Sequence, residues 1–482
     1  MLFCATSHVL VVISNCIEYQ IYAVLNSIFL FRYLYIKNNL FQEKVMNQQQ
    51  FHTRRQTLLA KMAPASAAVI FSAPEMKRST NCNYPYRQNS DFWYLTGLSE
   101  PEAVLVLIKS NEVHSHSILF SRVLDLTQET PVFNYLGQDN VLATLGLDRS
   151  LPFADINQHM YLLLNGLDIV YHAHGEYKYA DCILYNALDK LRKMEGQNFQ
   201  VPMIQIDWRP WLHDMRLFKS LEELAIMRRA SEISASAHTR AIKKCRPGMF
   251  EYQLEAEIQH EFIYFGARHP SYNIIVGSGE NSCILHYTKN TCVMHDGDLV
   301  LIDAGCEYQG YASDITRTFP VNGKFSQAQR AIYDIVLTVQ LHALKLFKPG
   351  ISIREVNDQV VRIMITRLVE LGIMQGEVEH LFAKQAIRQF YMHSLSHWLG
   401  IDVHDVGSYG TLNRDRVLEP GMVLTVEPGL YIAPTAAVPV EYRGIGIRIE
   451  DDILITEDGN ENLTASVVKD IDAIEALMVV AK

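Results

Sequence analysis

Short apolar runs and amphipathic segments alternate along most of the chain. Three runs rich in β-branched and apolar residues predict strands in the first half: 67–71, 103–108 and 117–120. Helical spacing of apolar residues predicts a helix over 182–193. A break follows at 207–210, and Ser220-Leu221-Glu222-Glu223 forms a capping box that opens a long helix. We therefore expect an α/β domain that ends at a boundary near 207–220.

The second half combines helices with strands that follow one another closely. Helices are predicted after Pro247-Gly248 and at the capping sequences that begin with Ser326 and Ser352. Apolar runs predict strands at 299–304, 310–319, 423–426 and 446–455. Helices with mostly hairpin-linked strands indicate an α+β fold. The expected division is an N-terminal α/β domain over 46–215 and a second domain over 216–482.

The first 45 residues differ from the rest in being strongly hydrophobic. Between Val9 and Tyr35 only Glu18 and Arg32 are charged. A signal peptide needs basic residues before its apolar core, and none precedes Arg32. Polar residues interrupt the apolar stretch that a membrane span or a membrane-anchored interaction protein would need. We expect translation to start at Met46, with residues 1–45 outside the mature fold.

Composition is that of an ordinary globular protein. Of 482 residues 49% are hydrophobic and 20% charged, and 43 Lys+Arg against 53 Asp+Glu give a formal charge of −10. These values exclude a largely disordered chain and argue against a nucleic-acid partner. The 8 cysteines are scattered without a CxxC pair. We read them as reduced thiols of a cytoplasmic protein with no membrane partner.

Two aspartates follow each other closely in the second half. Asp303 ends an apolar strand, and Asp314 lies beyond a turn that contains Gly305 and Gly310. If the flanking strands pair, the two carboxylates lie close together. Burying a carboxylate costs folding free energy unless it is paired or metal-bound. The alternative is a turn aspartate with a salt bridge to Arg317.

Three histidines, His393, His397 and His404, lie within 12 residues. The pair at 393 and 397 has zincin spacing but lacks the glutamate after the first histidine, so that interpretation fails. A single histidine usually has a structural role, but three together point to a site.

Glu427 and Glu450 add two carboxylates near strand ends. Arg448 shares a strand face with Glu450 and could be only its salt-bridge partner. Four carboxylates with an imidazole suit two divalent metals a few ångströms apart, and oxygen-rich ligation favours manganese, cobalt or iron over structural zinc.

The order and local context of five residues resemble the ligand motif of the pita-bread metallopeptidases, which include methionine aminopeptidase, prolidase and aminopeptidase P. These residues are Asp303, Asp314, His397, Glu427 and Glu450. The strings 89–97, 277–281 and 393–404 resemble the bacterial Xaa-Pro aminopeptidases (aminopeptidase P) in particular. The likeness runs from about Met46 to near the C-terminus.

The resemblance implies a role for each residue. Asp303 binds one metal, Asp314 and Glu450 bridge both, and His397 and Glu427 bind the other. The family's three further site histidines fall on His286, His393 and His404, and its active-site arginine falls on Arg448. It also implies a creatinase-like N-terminal domain, a pita-bread catalytic domain and a homo-oligomer, a tetramer or a dimer.

The expected activity is hydrolysis of the bond between an N-terminal residue and a following proline in Xaa-Pro-Yaa peptides. Two metals, expected from the donor set to be manganese, would make a bridging hydroxide available near neutral pH, with Glu427 as general base. His393 and His404 would stabilise the oxyanion or relay a proton, and His286 with Tyr431 would line the proline pocket. The nearest alternative is prolidase, which cleaves Xaa-Pro dipeptides. A non-catalytic pita-bread module or a metal-free creatinase-like hydrolase predicts eroded ligands, and all five are intact.

Overall fold

The structure, a computed structural model, describes residues 46–123, 136–412 and 414–479. The described residues from Gln48 onward form one compact unit. The prediction that residues 1–45 are not part of the mature fold lies outside the described residues. Within the described ranges, no helix is both long and apolar enough to cross a membrane.

A six-stranded mixed sheet flanked by helices forms the first half. Its strands and a small hairpin are β1 (Ser66–Phe71), β2 (Lys77–Ser79), β3 (Cys82–Asn83), β4 (Val104–Lys109), β5 (Ser115–Ser121), β6 (Arg149–Pro152), β7 (Ile169–His172) and β8 (Ile204–Ile206). Its helices are α1 (Gln48–Lys61), α2 (Ser90–Thr96), α3 (Gln138–Leu145), α4 (Ile156–Leu164), α5 (Lys178–Lys193) and α6 (Arg209–Leu217). The sheet order is β6-β5-β4-β1-β7-β8, in which β1 is antiparallel to β4 and parallel to β7. Every residue of β1 and β4 is buried. Helices α4 and α5 pack against alternate residues of these strands, and α1 and α2 also contact the sheet. The three predicted strands and the predicted helix are all present.

The second half contains long helices and short strands, as an α+β fold requires. Its helices are α7 (Leu221–Lys244), α8 (Glu251–Tyr264), α9 (Gln327–Leu346), α10 (Ile353–Glu370), α11 (Val378–Ala383) and α12 (Ile471–Val479). Its strands are β9 (His269–Pro270), β10 (Ile275–Ser278), β11 (Leu299–Asp303), β12 (Cys306–Tyr308), β13 (Tyr311–Ala312), β14 (Thr316–Pro320), β15 (Gly410–Thr411), β16 (Arg414–Asp415), β17 (Val423–Val426), β18 (Gly429–Ile432), β19 (Ile445–Arg448), β20 (Asp451–Ile455) and β21 (Asn460–Asn462). The capping boxes at Ser220, Ser326 and Ser352 all form, and each opens the predicted helix. The domain division at 215/216 stays a prediction.

Two strands predicted to be continuous are each interrupted at an acidic residue. Asp314 lies between β13 and β14, and Glu450 lies between β19 and β20. The Asp314 N–H donates to a carboxylate oxygen of Asp452 (3.0 Å) instead of joining the strand ladder, and Thr316 forms an isolated bridge with Glu450. The prediction of unbroken strands was wrong here because the backbone leaves the ladder where these carboxylates turn toward each other.

Strand register brings the remaining acidic residues to the same region. Asp303, at the end of β11, lies opposite Thr316 in β14. Val426 in β17 pairs with Asp451 in β20. Since Glu427 follows Val426 and Glu450 precedes Asp451, the two glutamates leave the same end of this strand pair.

Candidate active site

One cavity of about 1360 Å³ is lined by the five predicted metal ligands, the three further histidines and Arg448, but not by Tyr431. Its lining includes His286, Asp303, Asp314, His393, His397, His404, Glu427, Arg448 and Glu450. These side chains come from segments spread over more than 160 positions of the chain, so the fold, rather than a local motif, assembles the site.

Asp303 and Asp314 share a hydrogen-bond donor that sequence reasoning missed. The Tyr272 hydroxyl contacts one oxygen of Asp303 at 2.6 Å and one oxygen of Asp314 at 2.5 Å. Burial, together with these aspartates, raises the pKa of Tyr272 well above its usual value, so the tyrosine stays protonated and donates. No spacing pattern in the sequence points to Tyr272, which lies before β10 and reaches the aspartates only in the folded chain.

His397 presents one ring nitrogen to the carboxylates. Its Nε2 lies 3.4 Å from an oxygen of Asp314 and 3.4 Å from an oxygen of Glu427. Its Nδ1 lies 3.0 Å from the Trp398 carbonyl oxygen. In the neutral ring this contact fixes the proton on Nδ1, so the lone pair of Nε2 is available to a metal. A histidine that binds a metal is usually oriented by a second-nitrogen contact of this kind.

The carboxylates are crowded and buried. Donor atoms of Asp314, His397 and Glu450 lie within 4.8 Å of one another, a spacing that suits one shared cation. Burial raises the pKa values of Asp314, Glu427 (to about 7) and Glu450. Burial opposes a charge on His397 as well, yet Asp314 and Glu427 raise its pKa to about 9. The centre therefore attracts positive charge strongly, and its four carboxylates and one imidazole fit divalent cations.

Arg448 contacts the edge of this centre. Its Nη2 donates to Asp303 at 2.5 Å, its Nη1 donates to the Tyr431 hydroxyl at 2.7 Å and its Nε donates to Thr316. Arg317 instead pairs with Asp451 at 2.6 Å. Among the described residues, neither the Arg448–Glu450 nor the Asp314–Arg317 salt bridge that the sequence allowed is formed, so both structural alternatives were wrong.

The other histidines surround the carboxylates. His393 Nε2 lies 2.9 Å from the Tyr431 hydroxyl, and its Nδ1 lies 3.5 Å from an oxygen of Glu427. Burial, with the Arg448 charge nearby, lowers the pKa of His393 to about 4. The His404 ring lies 4.1 Å from the His397 ring, and burial with that neighbour lowers the pKa of His404. Neutral imidazoles therefore face the cavity and can accept or donate a proton.

Fold and site together define a pita-bread metallopeptidase. The model of metallopeptidase family M24 matches residues 225–457, and that of the aminopeptidase P N-terminal domain matches residues 51–171.

Similar proteins give the finer assignment. The Xaa-Pro aminopeptidase of Escherichia coli strain K12 is 67% identical and covers 91% of this chain and 99% of the relative, and that of Haemophilus influenzae is 47% identical over 89% and 97%. A solved structure of zinc-substituted E. coli aminopeptidase P in complex with product has a TM-score of 0.89 at 66% identity, covering 91% of this chain and 100% of that one. Proline aminopeptidase P II from Yersinia pestis has a TM-score of 0.89 at 67% identity, covering 90% and 100%. The chain belongs to the Xaa-Pro aminopeptidase (aminopeptidase P) family of M24 metallopeptidases.

Proposed function

We propose that this enzyme hydrolyses the bond between the first residue of a peptide and a proline in second position. The observation that carries the proposal is the single cavity that brings the four carboxylates, His397 and the three other histidines together. The family membership and the 67% identity to the E. coli Xaa-Pro aminopeptidase support the same reading. Prolidase is not favoured, because these relatives are aminopeptidases.

Two divalent cations would be held by five residues. Asp303 would bind one, His397 and Glu427 the other, and Asp314 and Glu450 would bridge both. When bound, the cations supply Lewis acidity and lower the pKa of water. The oxygen-rich donor set supports manganese as the native metal. The Tyr272 hydroxyl and the Arg448 guanidinium, which both contact Asp303, would orient this carboxylate.

Glu427 would accept the proton of the attacking water. Its carboxylate lines the cavity, 3.4 Å from His397 and 3.5 Å from His393. His393 and His404 would stabilise the developing oxyanion or deliver a proton to the leaving proline nitrogen. That nitrogen carries no N–H in the substrate, so selectivity would rest on shape. His286 lines the cavity, the Tyr431 hydroxyl lies 2.9 Å from His393 Nε2, and these two side chains would form the proline pocket.

Free cysteines support a reducing, cytoplasmic setting: the described residues include unpaired Cys82, Cys182, Cys245, Cys283, Cys292 and Cys306. The family resemblance supports a homo-oligomer, with a tetramer as the first expectation and a dimer as the second. Size-exclusion chromatography with light scattering on the purified enzyme measures that number directly.

The test compares Xaa-Pro-Yaa tripeptides, Xaa-Ala-Yaa tripeptides and Xaa-Pro dipeptides as substrates. We expect release of the first residue from Xaa-Pro-Yaa, with loss of activity on chelation and recovery with manganese. Glu427→Gln should lower kcat by about 10²–10⁴-fold, whereas the exposed Glu457→Gln should not change it. Cleavage of dipeptides alone would show a prolidase, and activity that persists through chelation would refute a metal-dependent mechanism.

A further inference from the structure

His404 lies in a short loop that contains none of the proposed metal ligands. The loop runs from Gly400 to Asp405 and follows the segment that holds His397. In the described part of the chain, no side chain hydrogen bonds the His404 ring. Apart from the contact with the His397 ring, the position of the ring in the cavity depends on the backbone on either side of it, and this backbone carries Asp402 and Asp405.

Arg216 binds both of these aspartates. It lies in α6, is 2% exposed, and donates to Asp402 at 2.9 Å and to Asp405 at 2.5 Å through Nη2. Its Nη1 donates to Asp91 at 2.8 Å. Lys219 also contacts Asp405, at 3.2 Å. One buried guanidinium thus holds the two residues that flank positions 403 and 404 of the loop.

Two further residues of the first half contact the same loop. Arg87 donates to the Ile401 carbonyl at 2.9 Å and to Asp402 at 3.1 Å. Ser90, at the start of α2, donates to the same oxygen of Asp402 at 2.6 Å, and Arg87 donates to Ser90 at 2.8 Å. These contacts join positions more than 300 residues apart in the chain.

Close packing leaves the loop little freedom. A Cβ placed on Gly400 would lie 2.1 Å from a carboxylate oxygen of Asp405 and 3.1 Å from Lys219 Cε. The Asp405 N–H donates to the Trp398 carbonyl at 2.9 Å, and the Ala312 N–H donates to the Gly400 carbonyl at 2.8 Å. The loop is therefore held at its two ends by backbone contacts and in the middle by the side-chain ion network.

We propose that Arg87, Ser90 and Arg216 are positioning residues that place the His404 imidazole for the reaction by holding Asp402 and Asp405. The inference rests on the proposed function, in which His404 contacts the reacting groups. Since a misplacement of about 1 Å can cost on the order of 100-fold in rate, loosening the loop should slow turnover while the metal ligands stay in place.

The test is a double-mutant cycle on the full chain. Arg216→Met can prevent folding because it leaves buried aspartates without a partner. The pair Arg87→Gln with Ser90→Ala avoids this problem, because Arg87 is half-exposed and Ser90→Ala removes only a neutral hydroxyl. We expect the pair to lower kcat about 10-fold, with KM, metal content and Tm nearly unchanged. Arg122→Gln, which removes two ion pairs to Glu75 and Glu102 away from the loop, is the matched control and should leave kcat unchanged.

The second arm repeats the Arg87→Gln, Ser90→Ala change in a His404→Ala background. If these residues act through His404, the pair should cost less than about twofold there. An equal loss in both backgrounds overturns the inference, as does a His404→Ala enzyme with unchanged kcat. A wild-type enzyme that fails to cleave Xaa-Pro-Yaa peptides would instead refute the proposed function, so the two failures are distinguishable.

Discussion

Gly305 lies where the backbone after Asp303 passes the segment that leads to Asp314. A Cβ at this position would lie 1.7 Å from the Ser313 carbonyl oxygen and 2.5 Å from its carbon. Non-bonded heavy atoms normally approach no closer than about 3.5 Å. Because the obstacle is backbone, Gly305→Ala requires one of the two segments to move by about 1.5–2 Å.

That movement reaches the site directly, since Ser313 precedes Asp314 in the chain. Overpacking of this kind costs about 1–3 kcal/mol of folding free energy, and a 1 Å displacement near a reacting centre costs on the order of 100-fold in rate. We expect Gly305→Ala to lower kcat on Xaa-Pro-Yaa peptides by about 100-fold and to lower the bound metal measured by mass spectrometry. Tm should fall by only a few degrees.

Gly459→Ala is the matched control, because a Cβ there has no heavy atom within 4 Å and its φ is ordinary. Its kcat, metal content and Tm should equal those of the wild type. A Gly305→Ala enzyme that keeps both metals and a kcat within about threefold of the wild type would refute the reasoning, since the two segments would then be further apart than the structure places them.

Three further predictions concern the stability of the second half. Arg317→Met removes one of the two cations that pair with the fully buried Asp451, with Lys469 at 2.5 Å remaining, and should destabilise the enzyme by about 1–3 kcal/mol. Denaturant midpoints measured against Arg354→Met, an exposed arginine, check this. Ser220→Ala removes the first capping box and should cost about 1 kcal/mol, which thermal unfolding against Ser220→Thr measures. Burial lowers the pKa of His238 to about 4, below the unfolded value of 6.5, so its stabilising contribution is complete above pH 6.5 and is lost as the pH falls toward 4. Tm should therefore fall over that interval, and less so in His238→Gln; equal pH profiles would contradict the assignment.

Features that depend only on residues close together in the sequence, such as helix starts and apolar strands, could be predicted from it. The capping boxes at Ser220, Ser326 and Ser352 formed because each side chain bonds to backbone only three residues away. The strands of the first sheet were readable because they are continuous apolar runs. The expected ligand set came from the resemblance of its order and local context to the family motif, whereas spacing alone left salt-bridge alternatives open. The structure brings these residues into one cavity, and their role as ligands stays a prediction.

Contacts between distant segments were not predictable. Tyr272 meets Asp303 and Asp314 from 31 and 42 positions away, and no periodicity signals such a contact. Apolar residues lie within three positions of Asp314 and of Glu450 on both sides, so the pattern shows one strand where the structure has two. The choice of Asp303 as the partner of Arg448 depends on the pairing of β18 with β19, which sets the direction of the arginine.

The proposed ligand residues are dispersed along the chain from Asp303 to Glu450, and this dispersal has a thermodynamic consequence. An unfolded chain cannot bring these donors together, so a cation that they bind is bound by the folded enzyme alone. Free metal then raises the free energy of unfolding by RT ln(1 + [M]/Kd), about 4 kcal/mol when the metal stands at a thousand times its dissociation constant. The same ions that serve hydrolysis would thus set how long the enzyme survives heat, and a cell poor in the metal would lose enzyme as well as activity.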